Sequence, residues 1–361
     1  MNLIFVRSPY MISVNETGQT GAKVKLYIWN LGDTEPTIPT YTLSKDIPST
    51  TQLELNFNIS NYAREFIDNI NPSYPPHSSY ISQESNKSSC YVKVKRYKTV
   101  SGVDTLLDTN TYTATNGFTK YEDGLNAGLN SNIISLTDKS KTIYYDRNQE
   151  YPYINVFAEL NTGETIKFQW EELDGSYLDD STQTATTANL YEINVSVTQD
   201  GADFSPGNLL KIIDVDGITV IDSFKVMPVC EPKYSPVVCS YINRRGGWQF
   251  LTFFKAQTNT ISTKGSTYRM MPSASNYNPA QAQTKSFNIN GQQSVKLNTG
   301  WVDENYSDLI TDLLLSETIL LDGKPVELKT TSSDLKTSLK DKMINYEIEF
   351  DYAFNLINDV V

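Results

Sequence analysis

Tyr153-Ile-Asn-Val-Phe-Ala-Glu-Leu160, then Asn161-Thr-Gly163, then Thr165-Ile-Lys-Phe-Gln-Trp170 decide how this chain reads. Two short runs rich in β-branched and aromatic residues flank a turn triplet. The pattern predicts a strand, a turn and a returning strand. The same pattern continues downstream: Tyr191, Ile193, Val195 and Val197 alternate with Glu192, Asn194 and Ser196, so one face points inward. Leu173-Asp-Gly175 is a further turn signal. Asp216-Gly217, between Leu210-Lys-Ile-Ile-Asp-Val215 and Ile218-Thr-Val-Ile221, predicts a type I′ hairpin. Strands at this spacing predict a β-sandwich over 131–227.

Upstream, Val24, Leu26 and Ile28 alternate with Lys25, Tyr27 and Trp29. Leu53, Leu55, Phe57 and Ile59 alternate with Glu54, Asn56 and Asn58. Ser60 is placed to cap a short helix in which Tyr62, Phe66, Ile67 and Ile70 share a side. Cys90, Val92 and Val94 alternate with Tyr91, Lys93 and Lys95 up to a turn at Ser101-Gly102. This predicts an N-terminal β-sandwich over 1–130.

Residues 228–361 predict a β-rich domain with one amphipathic helix. Pro236–Ile242 and Trp248–Phe254 flank the glycine turn Arg244-Arg-Gly-Gly247, and Asn290-Gly291 is read as another hairpin. Tyr306, Leu309, Ile310, Leu313 and Leu314 recur at helical period, placing a helix near 304–315 with Asp303 and Glu304 at its start. Tyr346, Ile348, Phe350 and Tyr352 alternate with Glu347, Glu349 and Asp351 in a final strand. The fold class is thus mainly β: consecutive sandwich-like domains, then a β-rich domain with a helix.

Composition agrees. A hydrophobic share of 39% and a charged share of 20% leave room for Asn, Ser, Thr and 23 Tyr, the residues of short strands and polar turns. The net charge of −12 works against gripping nucleic acid. Cys90, Cys230 and Cys239 are an odd count for a disulfide framework and read as free thiols. No run approaches the roughly 18–20 apolar residues of a membrane helix. The N-terminus reads straight into a strand rather than as a signal peptide.

Chemistry is sparse. His77 alone would have to serve any Ser-His-Asp or Cys-His arrangement, and its Pro- and Ser-rich surroundings read as a loop. Asp214-Val-Asp216-Gly217 departs from the calcium-loop pattern and is explained by the hairpin. Lys93, Lys95, Arg96 and Lys98 read as a solvated strand face. Trp29, Trp170, Trp248 and Trp301 read as core. A carboxylate pair for glycan hydrolysis is not singled out among 42 acidic residues. No catalytic, metal or cofactor site is therefore assigned. The candidate interface is Arg244, Arg245, Trp248, Phe253 and Phe254, because Arg beside aromatics is enriched where proteins dock.

Several stretches carry a resemblance. They are Asn298-Thr-Gly-Trp-Val-Asp-Glu-Asn305, Leu313-Leu-Leu-Ser-Glu317, Pro325-Val-Glu-Leu and Lys342-Met-Ile-Asn-Tyr-Glu-Ile-Glu-Phe-Asp-Tyr-Ala-Phe354. Cys230-Glu-Pro-Lys-Tyr and Gly247-Trp248 ahead of Phe253-Phe-Lys belong with them. So do Arg7-Ser-Pro-Tyr, Asn15-Glu-Thr-Gly-Gln, Tyr27-Ile-Trp-Asn30 and Tyr41-Thr-Leu-Ser-Lys near the start. Together they resemble virion proteins of phages that infect Bacteroidetes, including crAss-like phages. The resemblance covers both ends and leaves the middle untouched. It implies a structural, non-enzymatic subunit of a tail barrel or collar built of stacked rings. Its partners would be copies of itself in a closed ring and other tail, collar or portal proteins, with DNA only as passing cargo and no membrane anchor. It would be assembled in the host cytoplasm and reside in the virion tail. An acidic channel wall would let DNA slide. The alternatives are a receptor-binding or fibre-type tail adhesin and a carboxylate-based glycan hydrolase.

Overall fold

The computed structural model describes residues 1–47, 54–69, 71–75, 79–83, 86–137, 141–146, 152–197, 207–229, 233–271, 280, 282–303, 306–330 and 343–358. It is mainly β, with several sheets and two α-helices among the described residues. Two compact units divide it. The first is Met1–Cys230 with Ser240–Leu251 and Asp308–Glu317. The second is Glu231–Cys239, Thr252–Ser307 and Thr318–Val361. The first unit thus holds both expected sandwiches, and it also takes two segments that the expected 228–361 domain had claimed.

The first sandwich uses β1 (Asn2–Phe5), β2 (Met11–Val14), β3 (Gly21–Leu31), β4 (Tyr41–Asp46), β5 (Leu55–Asn58) and α1 (Ser60–Arg64). After β6 (Tyr80–Gln83) come β7 (Asn86–Val100), β8 (Val103–Thr115) and β9 (Leu129–Asn130). Six strands form one sheet in the order β4-β3-β7-β8-β1-β9, and β2 pairs with β5. The inward residues that alternation selects, among them Val24, Leu26, Ile28, Val92 and Val94, are buried with Leu55, Phe57 and Ile59 in one core. Ser101 and Gly102 both take positive φ at the β7–β8 turn, as a tight hairpin requires. Ser60 does not cap α1. Its hydroxyl donates to the Ser8 carbonyl at 2.6 Å, and Asn58 Oδ1 instead accepts from the Ser60 amide at 3.2 Å.

The second sandwich adds β10 (Ile133–Ser135), β11 (Thr142–Asp146), β12 (Tyr153–Leu160), β13 (Thr165–Glu172), β14 (Tyr177–Thr184), β15 (Asn189–Ser196), β16 (Asn208–Ile213) and β17 (Val220–Val229). A four-stranded sheet, β10-β12-β15-β6, faces a five-stranded one, β11-β17-β16-β13-β14. The strands on either side of Asn161-Thr-Gly163 therefore do not pair. β12 lies in one sheet and β13 in the other, and the triplet carries the chain across. Ile154, Val156, Ile166, Phe168 and Trp170 meet in the core between the sheets. Burial of both strands, rather than a ladder between them, accounts for their matching patterns. The strand β6 is borrowed from upstream of residue 130 and pairs with β15. A third cluster, Leu3, Phe5, Leu31, Ile134, Leu136, Phe157 and Leu190, joins the two sandwiches, so residue 130 is not a boundary between compact units.

At the β16–β17 turn the hairpin is present but longer than a two-residue loop, with Ile213 opposite Val220. Asp216 Oδ1 accepts from the Ile218 and Thr219 amides at 2.9 and 2.8 Å, so the aspartate closes the turn.

Downstream lie β18 (Val237–Ile242), β19 (Trp248–Phe253), β20 (Thr258–Arg269), β21 (Thr284–Asp303), α2 (Tyr306–Leu314), β22 (Ile319–Leu321), β23 (Lys324–Leu328) and β24 (Met343–Asn355). Helix α2 falls where the period placed it, with Leu309, Ile310 and Leu313 buried. In the second unit the strand order is β22-β23-β24-β21-β20. Asn290-Gly291 is not a turn. Both residues lie within β21, paired with Lys264 and Thr263.

Candidate interaction surface

The five residues expected at an interface fall into two groups, and neither faces outward in the chain. Trp248, Phe253 and Phe254 are buried. Phe253 packs edge-on against Phe350 inside the second unit. Arg244 and Arg245 sit on a turn that plugs into the first unit. Asn243 organises this turn. Its Oδ1 accepts from the Arg245 and Gly247 amides at 2.9 and 3.2 Å, and its Nδ2 donates to the Leu136 carbonyl at 2.8 Å. Arg245 donates to the Ser135 carbonyl at 2.6 Å, and Thr115 Oγ1 donates to the Arg245 carbonyl at 2.8 Å. Arg244 pairs with Asp123 at 3.3 Å. Glycine is required here by close approach. A Cβ on Gly246, already at φ +84°, would meet Thr115 Cβ at 2.7 Å, and one on Gly247 would meet Leu136 Cβ at 2.6 Å. The aromatic strand and its arginine turn thus act as internal mortar.

Nearby lies a buried polar cluster. Asn155 Nδ2 donates to Glu192 Oε1 at 2.9 Å and to Asn194 Oδ1 at 2.7 Å, and Ser88 Oγ donates to Glu192 Oε2 at 2.6 Å. Burial, reinforced by the Glu192 charge, raises the Tyr153 hydroxyl well above its ordinary pKa. Both carboxylate oxygens are engaged by neutral donors, an arrangement that holds a sandwich together.

The other candidates resolve individually. Lys93 pairs with Glu35 at 2.7 Å, Lys95 lies over the Tyr27 ring, and Arg96 makes a two-pronged pair with Asp108. That strand's positive charge is largely answered on the spot. Trp170 is fully buried and Trp29 packs on Tyr91 with ring centres 5.2 Å apart. Trp301 is 70% exposed, which corrects its reading as core. Burial pushes the Cys90 thiol up to about 12 and raises that of Cys239, and both are free. His77, Cys230 and Glu304 lie outside the described residues. Among the described residues, no group of three or more His, Cys, Asp or Glu could hold a metal, and no helix is long and apolar enough to cross a membrane.

The outward-facing feature that the residue patterns did not single out is the hairpin of β20 and β21. Every residue of β20 is exposed, as are Thr284–Ile289 on β21. β24 pairs with β21 only from Gln292 onward, so beyond it the hairpin is a two-stranded ribbon. The fork is marked by Asn290. Its side chain accepts from the Ile357 amide at 3.0 Å and donates to the Ile357 carbonyl at 2.8 Å, and the Leu356 amide donates to Gly291 O at 2.8 Å. Gly291 leaves room there, since a Cβ would meet Leu356 Cδ1 at 3.0 Å. Along the ribbon Tyr268 packs edge-on against Phe287, while Ile261, Met271 and Ile289 stand in solvent, Met271 by 88%. Compared with known proteins, the chain matches no family model and no curated sequence.

Proposed function

We propose that this protein is a structural subunit of a bacteriophage tail that assembles with copies of itself into a ring of the tail barrel or collar. The observation that carries the reading is the ribbon. A hairpin exposed on both faces, bearing large apolar side chains and lacking a third strand, is marginal in water by itself and gains stability when covered. The resemblance of both ends of the chain to virion proteins of Bacteroidetes phages supplies the setting. The buried hydrogen bonds of Asn155 with Glu192 and Asn194, and of Asn243 with its turn, suit a rigid brick. A head-to-tail contact closes into a ring when its rotation closes. In such a ring the acidic surface would line the channel and let DNA pass without sticking.

Negative-stain imaging of the purified protein tests this. Closed rings of many copies are expected. A uniform trimer with a fibrous outline would favour the adhesin reading, and turnover of host polysaccharide that is lost on Asp or Glu substitution would favour the hydrolase.

A further inference from the structure

Charge is distributed along this chain very unevenly. Between Glu231 and Asp303 there is no acidic residue at all, and eight Lys or Arg fall in that interval. The net −12 is therefore +8 in residues 232–302 and −20 in the remainder. Three of the eight, Lys264, Arg269 and Lys285, stand exposed on the ribbon and make no ion pair with a described residue. A basic, acid-free ribbon with exposed apolar side chains thus belongs to a chain whose residues outside 232–302 carry −20.

We propose that the exposed part of the hairpin, residues 258–271 and 284–290, comprising the ribbon and the stretch of β20 that leads to it, is an assembly arm that docks on the acidic surface of a second copy of this chain. The proposal deepens the tail-subunit reading and rests on it. Three physical features point to a second copy. The charges are complementary between the arm and the rest of an identical chain, which favours head-to-tail contact over arm-to-arm contact. The arm offers 21 described residues, within the roughly 20–30 per partner of a standard interface. The outer edge of β20, terminal in its sheet, leaves backbone donors and acceptors for a neighbouring strand. Nucleic acid fits less well. Three cations neutralise only about three phosphates, a weak grip, and the exposed Ile261, Met271 and Ile289 have no use for phosphate.

The register adds a design detail. The β20–β21 pairing shifts between Lys264 and Ser266, where Gly265 lies against Ile289 and Asn288 takes φ +51°. A bulge of this kind increases twist and turns the far half of the ribbon relative to its base. The described residues beyond the bulge, with Tyr268 edge-on to Phe287, are thereby turned relative to the sheet that anchors them.

Sedimentation velocity on three full-length proteins tests the proposal: wild type, the charge-reversed K264E/R269E/K285E, and the apolar-to-polar I261S/M271S. All five positions are exposed, so circular dichroism and the thermal midpoint should match wild type. Wild type should self-associate, more weakly as salt rises, and each variant should associate at least about tenfold more weakly. If the variants assemble as wild type does, the arm proposal is overturned while the ring reading stands. Ribbon-dependent association that ends at dimers would support the arm and remove the ring. A wild type that stays monomeric but shifts duplex DNA in a ribbon-dependent way would overturn the second copy as occupant, and a monomer that does neither would overturn both.

Discussion

At Asn243 one side chain accepts from two backbone amides and donates to the Leu136 carbonyl, within a buried turn. Replacing it with alanine strands those groups away from water. Asn243→Ala should cost about 2–3 kcal/mol in urea unfolding. Gly246→Ala should be at least as damaging, because strain at φ +84° adds to a 2.7 Å approach to Thr115. The pair Arg96–Asp108 gives a pH-dependent case. The Arg96 hydrogen bond holds the Asp108 carboxyl below its ordinary range. A lowered carboxylate contributes stability above its unfolded-state pKa and loses it as pH falls through the folded value. Both side chains are about one-third exposed, so Asp108→Asn should cost under about 1 kcal/mol at pH 7. The difference should shrink as pH falls through the folded value of the Asp108 carboxyl, as read by urea titration at pH 7 and at successively lower pH. Burial that raises the Cys90 and Cys239 thiols predicts that neither reacts with iodoacetamide at pH 8 in the native protein and that both react in urea, read by peptide mass spectrometry.

Among the elements, strand existence was written plainly in the sequence, and strand pairing was not. Alternation such as Tyr191/Ile193/Val195 reports a strand, and those three are buried, as are Glu192, Asn194 and Ser196 on its other face. It is silent on whether a neighbour in sequence is a neighbour in the sheet. Hence β12 and β13 read as a hairpin yet lie in facing sheets. Glycine signals divided in the same way. Ser101-Gly102 is a turn because both residues take positive φ, whereas Asn290-Gly291 marks a fork, where the asparagine ties down the chain at Ile357. The C-terminal strand also meets this fork. Through Asn355 the segment is strand β24, and Asn290 holds it to its own sheet at Ile357. Asn290→Ala should loosen this end alone. Amide exchange at Leu356 and Ile357 should speed up by about tenfold or more, with the β12–β15 amides unchanged.

For the whole molecule, the amphipathic helix and the sandwich class were legible because burial imposes a period on the sequence. The compact units were not, because residues 240–251 and 308–317 belong with the first unit through contacts far away in sequence. The candidate interface misled for a related reason. Arg244, Arg245, Trp248, Phe253 and Phe254 have the composition of a docking site, but the chain buries its aromatics and ties down its arginine turn. The surface now put forward had a signal available from the start, the acid-free run of residues 232–302, which only a count of charge along the chain brings out. As proposed, this chain is a self-assembling structural subunit. The most direct test is the molar mass of the purified wild-type protein by light scattering at low and high salt. The expected result is an assembly of many 40.7 kDa chains at low salt that dissociates as salt rises. A mass of one chain under both conditions, at concentrations of tens of micromolar, would contradict it.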